Sequence, residues 1–189
     1  MALRRAVLGN KSILFYCDLR YAGDPVPALP GGCILEAATH YPDIRPADLQ
    51  SLFDHLGARR TEHDLRDRFE KGATLWFLKE HDTIAAFIWS VRGTMVAPFF
   101  LPLTPDDVVL FDAESFPEYR GRGLYPLLVQ SLFCKLREEK ASRVYGMAKT
   151  WNASSLRGLG KTPFRRYAVA STMHAWGKTV TIWHEKRNA

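Results

Sequence analysis

Two arginines alternate with two glycines at residues 120–123, within the stretch PEYRGRGLYPLLV. A strand-like run precedes this stretch, and an apolar pattern typical of a helix follows it. The first N–H groups of a helix have no acceptor within the helix, and they lie at the positive end of the helix dipole. Glycine lets a ligand approach the backbone closely, and arginine adds long-range attraction for an anion. The pattern therefore predicts an anion site, most naturally for phosphate.

Residues 120–123 are called the glycine turn from here on. This turn matches the sequence patterns of other phosphate-binding loops less well. A dinucleotide-binding loop, G-x-G-x-x-G, would need glycine where Pro126 stands, and this turn comes late in the chain, after several strands. A Walker loop is excluded because no G-K-[ST] follows. The remaining alternative is an exposed arginine-rich turn in which the glycines serve only the turn geometry.

The elements that must position the glycine turn alternate between strand and helix patterns. Pro126 is tolerated only in the first turn of a helix, so a helix must begin directly after the glycine turn. Thr61 and Asn152 have side chains suited to helix N-caps. The predicted strands are 12–19, 33–39, two within 73–93, 108–116, 143–149 and two within 165–183. The predicted helices are 45–57, 61–72, 124–140 and 152–160, and the predicted loops are 24–32 and 95–107.

The composition favours one globular domain. The chain has 189 residues, of which 47% are hydrophobic, and this is enough for a substantial core. Its three cysteines are far apart and form no C-x-x-C pair, so neither a disulfide framework nor a zinc site is indicated. The histidines show no metal-ligand spacing on a common helix face, and we expect no metal. No apolar run approaches membrane-spanning length, so we expect a cytoplasmic protein without a membrane partner.

The net charge of +6 is unevenly distributed. From residue 143 onward the chain has nine basic residues and one acidic residue, whereas the remainder is slightly acidic. A positive field of this kind suits a phosphate-bearing ligand, an acidic substrate or nucleic acid. Nucleic acid is the least favoured of these, since Trp76, Trp89 and Trp183 fall in apolar strands and are expected in the core.

The stretch PEYRGRGLY resembles the acetyl-CoA-binding motif of the GNAT superfamily of N-acetyltransferases. In that motif Gln or Arg is followed by two residues, Gly, one further residue, and then Gly or Ala. Arg120 and Gly123 match this pattern, whereas Tyr125 replaces the small residue that is usual at its end.

A second stretch, NASSLRGLGKTPF, resembles the later motif of the same family, which runs along a helix into the following strand. Asn152, Ser155 and Phe164 match conserved types in that motif, as does the aliphatic residue after the serine. Leu159 stands where many members have tyrosine, and Pro163 replaces the usual glycine. The specific resemblance is therefore concentrated in residues 112–164.

The resemblance implies an α/β fold with a mixed, mostly antiparallel central sheet, helices on both faces, and a splayed pair of parallel strands for the CoA arm. Residues 33–189 would form the acetyltransferase-like domain, and 1–32 an N-terminal extension with a strand and a proline-rich loop. Acetyl-CoA is the implied acyl donor. The residues expected to bind it are Phe116, Arg120, Gly121, Arg122, Gly123, Leu124, Tyr125, Asn152 and Ser155.

The implied reaction transfers an acetyl or other short acyl group from acyl-CoA to a primary amine, by direct attack in a ternary complex. The acceptor is expected to be a small molecule or a sugar, held by the first helices and by an apolar wall from residues 94–107. Glu114, or less readily Asp112, is the expected base. The backbone N–H of Ser115 or Phe116 is the expected donor to the oxyanion.

The group that would protonate the leaving thiolate stays open. Because Leu159 stands at the usual tyrosine position, Tyr125, Tyr145 or Tyr167 would have to serve, or the thiolate would leave unaided. Two alternatives to an enzyme therefore remain, first a non-catalytic acyl-CoA-binding module and then a basic nucleic-acid-binding protein. A homodimer is compatible with the sequence.

Overall fold

An eight-stranded sheet organises the fold. The computed structural model describes residues 11–21, 29–96, 99–175 and 178–186. Its strands are β1 Ser12–Asp18, β2 Cys33–Ala38, β3 Thr74–Glu80, β4 Thr83–Arg92, β5 Asp107–Ser115, β6 Arg143–Lys149, β7 Arg165–Ala175 and β8 Lys178–Lys186. Its helices are α1 Pro46–Leu56, α2 Ala58–Glu70, α3 Leu124–Glu138 and α4 Ala153–Leu159. Most of the predicted loop at 24–32, and the predicted junction at 176–177, lie outside the described residues.

The strands follow the order β2-β3-β4-β5-β6-β1-β7-β8. Every neighbouring pair is antiparallel except β5 and β6, which run parallel. The predicted mixed, mostly antiparallel sheet is therefore confirmed. β1 pairs with β6 on one side and β7 on the other, so the described part of the predicted N-terminal extension supplies an interior strand.

Both faces of the central strands are buried, which explains why β3 reads as a continuous apolar run. Trp76 and Leu78 belong to an apolar cluster that includes the buried face of α3. Their neighbours Leu75 and Phe77 belong to a second cluster with α1 and α2. Because successive side chains of a strand point to opposite faces, helices cover the sheet on both sides, as predicted.

β8 is the last strand of the sheet, and its apolar side chains are more exposed than the sequence suggests. Trp76 and Trp89 are buried, but Trp183 is 36% exposed. Among the described residues, neither apolar cluster extends to β8. The prediction that Trp183 lies in the core is therefore wrong, because an outer strand without a covering helix keeps its side chains in contact with water.

The junction between α1 and α2 corrects one predicted helix boundary. Gly57, with φ of +91°, ends α1 and directly precedes α2, which begins at Ala58 rather than Thr61. Thr61 lies inside α2, and its hydroxyl donates to the Gly57 carbonyl at 2.7 Å. A threonine can bond the carbonyl four residues back within a helix, so its type alone does not mark a cap. Within the described ranges, no helix combines the length and hydropathy needed to cross a bilayer.

A buried charge network fixes α1 to the sheet. The Lys79 side chain on β3 is fully buried and donates to Asp48 at 2.7 Å and to Glu36 on β2. Asp48 lies in the first turn of α1 and also accepts from Arg45 at 2.8 Å. The start of α1 is thereby held against β3, which determines where its last turn and His55 lie.

Candidate functional site

β5 and β6 diverge toward their C-terminal ends. Their parallel register ends at Leu110 and Gly146, although β5 continues to Ser115 and β6 to Lys149. Beyond that point β5 stays paired with β4 and β6 stays paired with β1. The two strands therefore form the splayed parallel pair that the sequence predicts, with an opening between them.

A bulge shapes β5 beside this opening. Asp112 has φ of +43°, and the register between β4 and β5 shifts between Phe87 and Trp89. Bulges of this kind redirect side chains and are common next to functional sites. The Asp112 carboxylate accepts from Arg68 on α2, and the next carboxylate along the strand, Glu114, faces α1.

The glycine turn has the backbone geometry that an anion site needs. Gly121 and Gly123 both have φ of +77°, a conformation that other residues adopt only with strain. A Cβ built on either glycine meets no atom within 4 Å, so the space in front of the turn is open. α3 begins at Leu124, as predicted, and its first N–H groups have no intrahelical acceptor. Pro126 has no N–H group, but it lies in the first turn of α3, where a backbone N–H has no acceptor within the helix.

Both arginines of the glycine turn are already bound to carboxylates. Arg120 donates to the Ser115 carbonyl at 3.0 Å and to Glu114 at 3.3 Å. Arg122 forms two hydrogen bonds with Glu80, at 2.9 and 2.6 Å. Their attraction for an anion is therefore partly offset, and the backbone N–H groups are the main anion donors of the turn.

The side chains of Phe116 and Leu124 pack in the core, so a ligand could reach these two residues only through their backbone. Both side chains are about 5% exposed. The Phe116 N–H donates to the Ala85 carbonyl at 3.0 Å, so this candidate oxyanion donor is engaged. Since successive N–H groups of a strand point to opposite edges, the Ser115 N–H is directed toward the opening between β5 and β6.

The later motif forms a capped helix, α4. The Asn152 side chain accepts from the Ser155 N–H at 3.1 Å, which confirms Asn152 as the N-cap. Leu159 is buried in the core, so no side chain at this position faces the opening. Tyr125 packs against Gly158 of α4, and burial raises its pKa to about 12. The raised pKa makes Tyr125 a weaker acid than an ordinary tyrosine.

The contact between Tyr125 and Gly158 leads to a stability prediction. A Cβ at position 158 would lie 2.8 Å from the Tyr125 ring. We expect Gly158→Ala to lower the free energy of unfolding by about 1–3 kcal/mol, measured by urea titration. Alanine at an unobstructed helix position would instead add about 0.5–1 kcal/mol. If the loss persisted in a Tyr125→Ala background, where the ring is absent, this steric explanation would be wrong.

The sequence analysis assigned no role to His55, but the structure places this residue at the candidate site. It lies in the last turn of α1, with Nε2 3.0 Å from Oε1 of Glu114. Its ring stacks on Phe116 with centroids 4.3 Å apart. Glu114 and His55 are 59 residues apart in the chain, so no local pattern connects them. Within the part of the chain that the structure describes, His55 and Arg120 both contact Oε1 of Glu114.

A cavity of about 370 Å³ lies between α1, α2 and the sheet, next to Glu114. Its apolar lining consists of Leu52, Leu56, Leu65, Leu75, Phe87, Trp89 and Ala113. Its polar lining consists of Arg60, Thr61, Asp64, Arg68, Asp112 and Glu114. This volume is in the range of small-molecule sites.

The described residues of the predicted acceptor wall, 94–107, do not line this cavity. Phe99, Phe100 and Leu101 line a different cavity of about 450 Å³, together with Gly93. The helices α1 and α2 border the cavity beside Glu114, and the part played by the 94–107 segment in acceptor binding stays a prediction. Among the described residues, no three His, Cys, Asp or Glu side chains are grouped to hold a metal ion.

Comparisons with known proteins agree with this geometry. No protein-family model and no curated protein matches the chain. Solved structures do match, including a tandem GNAT protein from the clavulanic acid biosynthesis pathway, with a TM-score of 0.60 and 18% identity over 99% of this chain and 59% of that one. A GNAT-family acetyltransferase from Colwellia psychrerythraea has a TM-score of 0.59 and 10% identity, over 94% of this chain and 56% of that one.

A third match is a GCN5-related glucosamine N-acetyltransferase region in a fungal multi-domain GH3 β-N-acetylglucosaminidase. Its TM-score is 0.59 at 14% identity, and the match covers 85% of this chain and 20% of that one. The chain therefore spans 59%, 56% and 20% of the lengths of these three solved structures, less than two thirds of each. At these identities the similarity concerns the fold, and we conclude that the chain has the fold of the GNAT acetyltransferases.

Proposed function

We propose that the protein is an N-acyltransferase that moves an acetyl or other short acyl group from acyl-CoA to the primary amine of a small molecule or sugar. One observation carries this proposal. The glycine turn, the opening between β5 and β6, and the cavity beside Glu114 all meet at residues 114–116. An acyl donor held at the turn and an acceptor held in the cavity would therefore meet at the end of β5.

The residues of the turn fit the pyrophosphate of acetyl-CoA. Two glycines with positive φ expose the backbone, and the space beside them is open. The N–H groups at the start of α3 would hold the phosphates, and the free edge of β5 would pair with the pantetheine arm. Asn152 and Ser155 cap α4 at the same end of the sheet. When bound, acetyl-CoA supplies a thioester that an amine can attack.

Two groups at the end of β5 would assist the transfer. Oε2 of Glu114 would take the proton from the attacking amine, directly or through water. The Ser115 N–H would donate to the oxygen that gains negative charge. The thiolate would leave without a proton from the protein, since a thiol with a pKa of about 8.5 is a tolerable leaving group.

One observation favours a second candidate, a non-catalytic acyl-CoA-binding module. Leu159, at the position where many relatives have tyrosine, is buried in the core and has no proton to give. Turnover distinguishes the two candidates. An enzyme releases CoA thiol in the presence of some primary amine, whereas a binding module does not.

Thermal unfolding tests the cofactor part of the proposal. A ligand at 100 times its dissociation constant adds about 2.7 kcal/mol, which for a chain of this size raises Tm by about 5–10 °C. We expect this rise with acetyl-CoA and none with adenosine, which lacks the pyrophosphate. Gly123→Val should abolish the rise because it blocks the approach to the turn.

A second glycine variant controls for the backbone strain that valine introduces, so that this strain can be distinguished from a loss of ligand binding. Gly57 also has positive φ and open space, but it lies between α1 and α2. Gly57→Val and Gly123→Val should each lose about 1–2 kcal/mol of stability, yet only Gly57→Val should keep the response to acetyl-CoA. An unchanged response in Gly123→Val, or no response in the wild type at millimolar acetyl-CoA, would contradict the proposal.

A further inference from the structure

We propose that Glu80 limits how strongly the glycine turn binds an anion, because it neutralises Arg122 and leaves the backbone N–H groups of the turn to set the affinity. This inference rests on the proposed function, since it concerns the acyl-CoA end of the same site. It gives a role to the ion pair that connects the glycine turn to the last residue of β3.

The pair between Arg122 and Glu80 is a two-point contact. Nη1 of Arg122 donates to Oε2 of Glu80 at 2.9 Å, and Nη2 donates to Oε1 at 2.6 Å. The guanidinium also lies 5.4 Å from the centroid of the Tyr119 ring. Paired hydrogen bonds between arginine and a carboxylate are charge-assisted and specific in geometry. The head group of Arg122 therefore has a defined position at the end of β3.

The backbone of the turn has a different surrounding from this side chain. Arg122 lies between Gly121 and Gly123, and a Cβ built on either glycine meets no atom of Glu80 or of any other non-adjacent residue within 4 Å. The first N–H groups of α3 follow directly, at Leu124. An anion could therefore approach the backbone N–H groups while Arg122 stays bound to Glu80.

The charges favour this arrangement over one in which Arg122 moves to the anion. The hydrogen bonds from Arg122 hold the pKa of Glu80 below its ordinary value, so the carboxylate is ionised at neutral pH. If Arg122 left Glu80 for a phosphate, an unpaired carboxylate would remain close to a second negative charge, and the two would repel. While the pair persists, its two opposite charges largely cancel in the field that an approaching anion experiences.

A double-mutant cycle on the full chain tests this inference. Calorimetric titrations would use inorganic pyrophosphate and acetyl-CoA, with adenosine as an uncharged control. We expect Glu80→Gln to bind both anions about three- to tenfold more tightly, because Arg122 then keeps its charge. Arg122→Gln should bind them about three- to tenfold more weakly, because the Glu80 carboxylate is left unpaired. The double variant should return to within about twofold of the wild type, since the backbone donors are unchanged.

Glu118 provides the matched control. It is exposed, it lies two residues before Arg120, and it forms no ion pair with the described residues. Glu118→Gln removes the same charge without releasing Arg122, so it should tighten binding by less than about twofold. Glu80→Ala should tighten binding as Glu80→Gln does, so that the result does not depend on one variant. The gain should shrink between about 0.1 and 1 M salt, where the Debye length falls from about 10 to 3 Å.

Four results would overturn the inference. A double variant as weak as Arg122→Gln would mean that Arg122 itself binds the phosphate. Weaker binding by both Glu80 variants would mean that Glu80 supports the shape of the turn instead of limiting its affinity. Equal gains in Glu80→Gln and Glu118→Gln would indicate a general charge effect. A wild type that binds neither anion would remove the site altogether.

The outcome is separable from that of the proposed function. Inorganic pyrophosphate has neither a thioester nor an adenosine group, so its binding depends on the turn alone. The expected cycle with pyrophosphate, without a response of Tm to acetyl-CoA, would reject acyl transfer and leave the role of Glu80 in place. A response to acetyl-CoA with a double variant as weak as Arg122→Gln would reject this inference and leave the proposed function.

Discussion

Lys79→Met should lower the free energy of unfolding by about 3–5 kcal/mol. Methionine keeps most of the volume but removes the ammonium that lies 2.7 Å from Asp48 and also binds Glu36. Asp48 is buried as well, so the variant leaves a carboxylate in the interior with Arg45 as its remaining cationic partner. For a chain of this size the loss corresponds to a fall in Tm of about 6–20 °C, which calorimetry would measure.

An exposed ion pair provides the matched control. Lys71 pairs with Asp67 at 2.7 Å, and both side chains are largely exposed. Lys71→Met should therefore change stability by less than about 1 kcal/mol. The double variant Lys79→Met with Asp48→Asn should recover part of the loss, because it no longer buries an unbalanced charge. Equal losses in Lys71→Met and Lys79→Met would mean that burial of the network has no energetic effect.

The pH dependence gives a second check on the same network. Burial raises the pKa of Asp48, but hydrogen bonds from Arg45 and Lys79 lower it further, so the pKa lies below its ordinary value. A carboxylate with a lowered pKa stabilises the folded state fully above its unfolded pKa of about 3.9. This contribution is lost as the pH falls through the folded pKa. The difference in stability between wild type and Lys79→Met should therefore shrink below about pH 4.

Glu114→Gln should lower kcat by about 10²-fold or more while KM for acetyl-CoA stays nearly constant. The amide keeps an oxygen for His55 and Arg120 but cannot accept the proton of the amine. Continuous assays of thiol release would measure kcat and KM of both proteins with the amine that the wild type turns over fastest.

Two neighbouring variants test whether the effect belongs to Glu114. Asp112 is bound by Arg68, so Asp112→Asn should change kcat by less than about fivefold. His55 acts through Glu114 as a positioning residue. His55→Ala should lower kcat by about tenfold, and His55→Gln should restore part of the rate. If Asp112→Asn were as damaging as Glu114→Gln, the assignment of the base would be wrong.

Part of the candidate site could be predicted from the sequence because it depends on local backbone preferences. Gly121 and Gly123 have positive φ because the turn into α3 demands it, and Pro126 restricts where that helix can begin. Asn152 caps α4 through a contact only three residues away. Each of these features is determined within a few residues, so the pattern of types is enough to predict it.

Contacts between residues that are far apart in the chain could not be predicted from such local patterns. The pairing of His55 with Glu114 depends on how α1 packs on the sheet, and that packing depends on the buried charge of Lys79. The capture of Arg122 by Glu80 likewise joins residues 42 apart. For the same reason no local pattern predicted that the described part of the 94–107 segment lines a different cavity from the one beside Glu114.

The sequence by itself determined the strand and helix order around the glycine turn and the start of α3 directly after it. Hydrophobic periodicity, glycine and proline act within one element, and their effects survive in any tertiary arrangement. Only the tertiary structure decided which groups contact Glu114, which arginines are already paired, and which side chains line the cavity beside Glu114. Those outcomes depend on strand register, the bulge at Asp112 and the seating of α1, and these are set by packing between elements far apart in the chain.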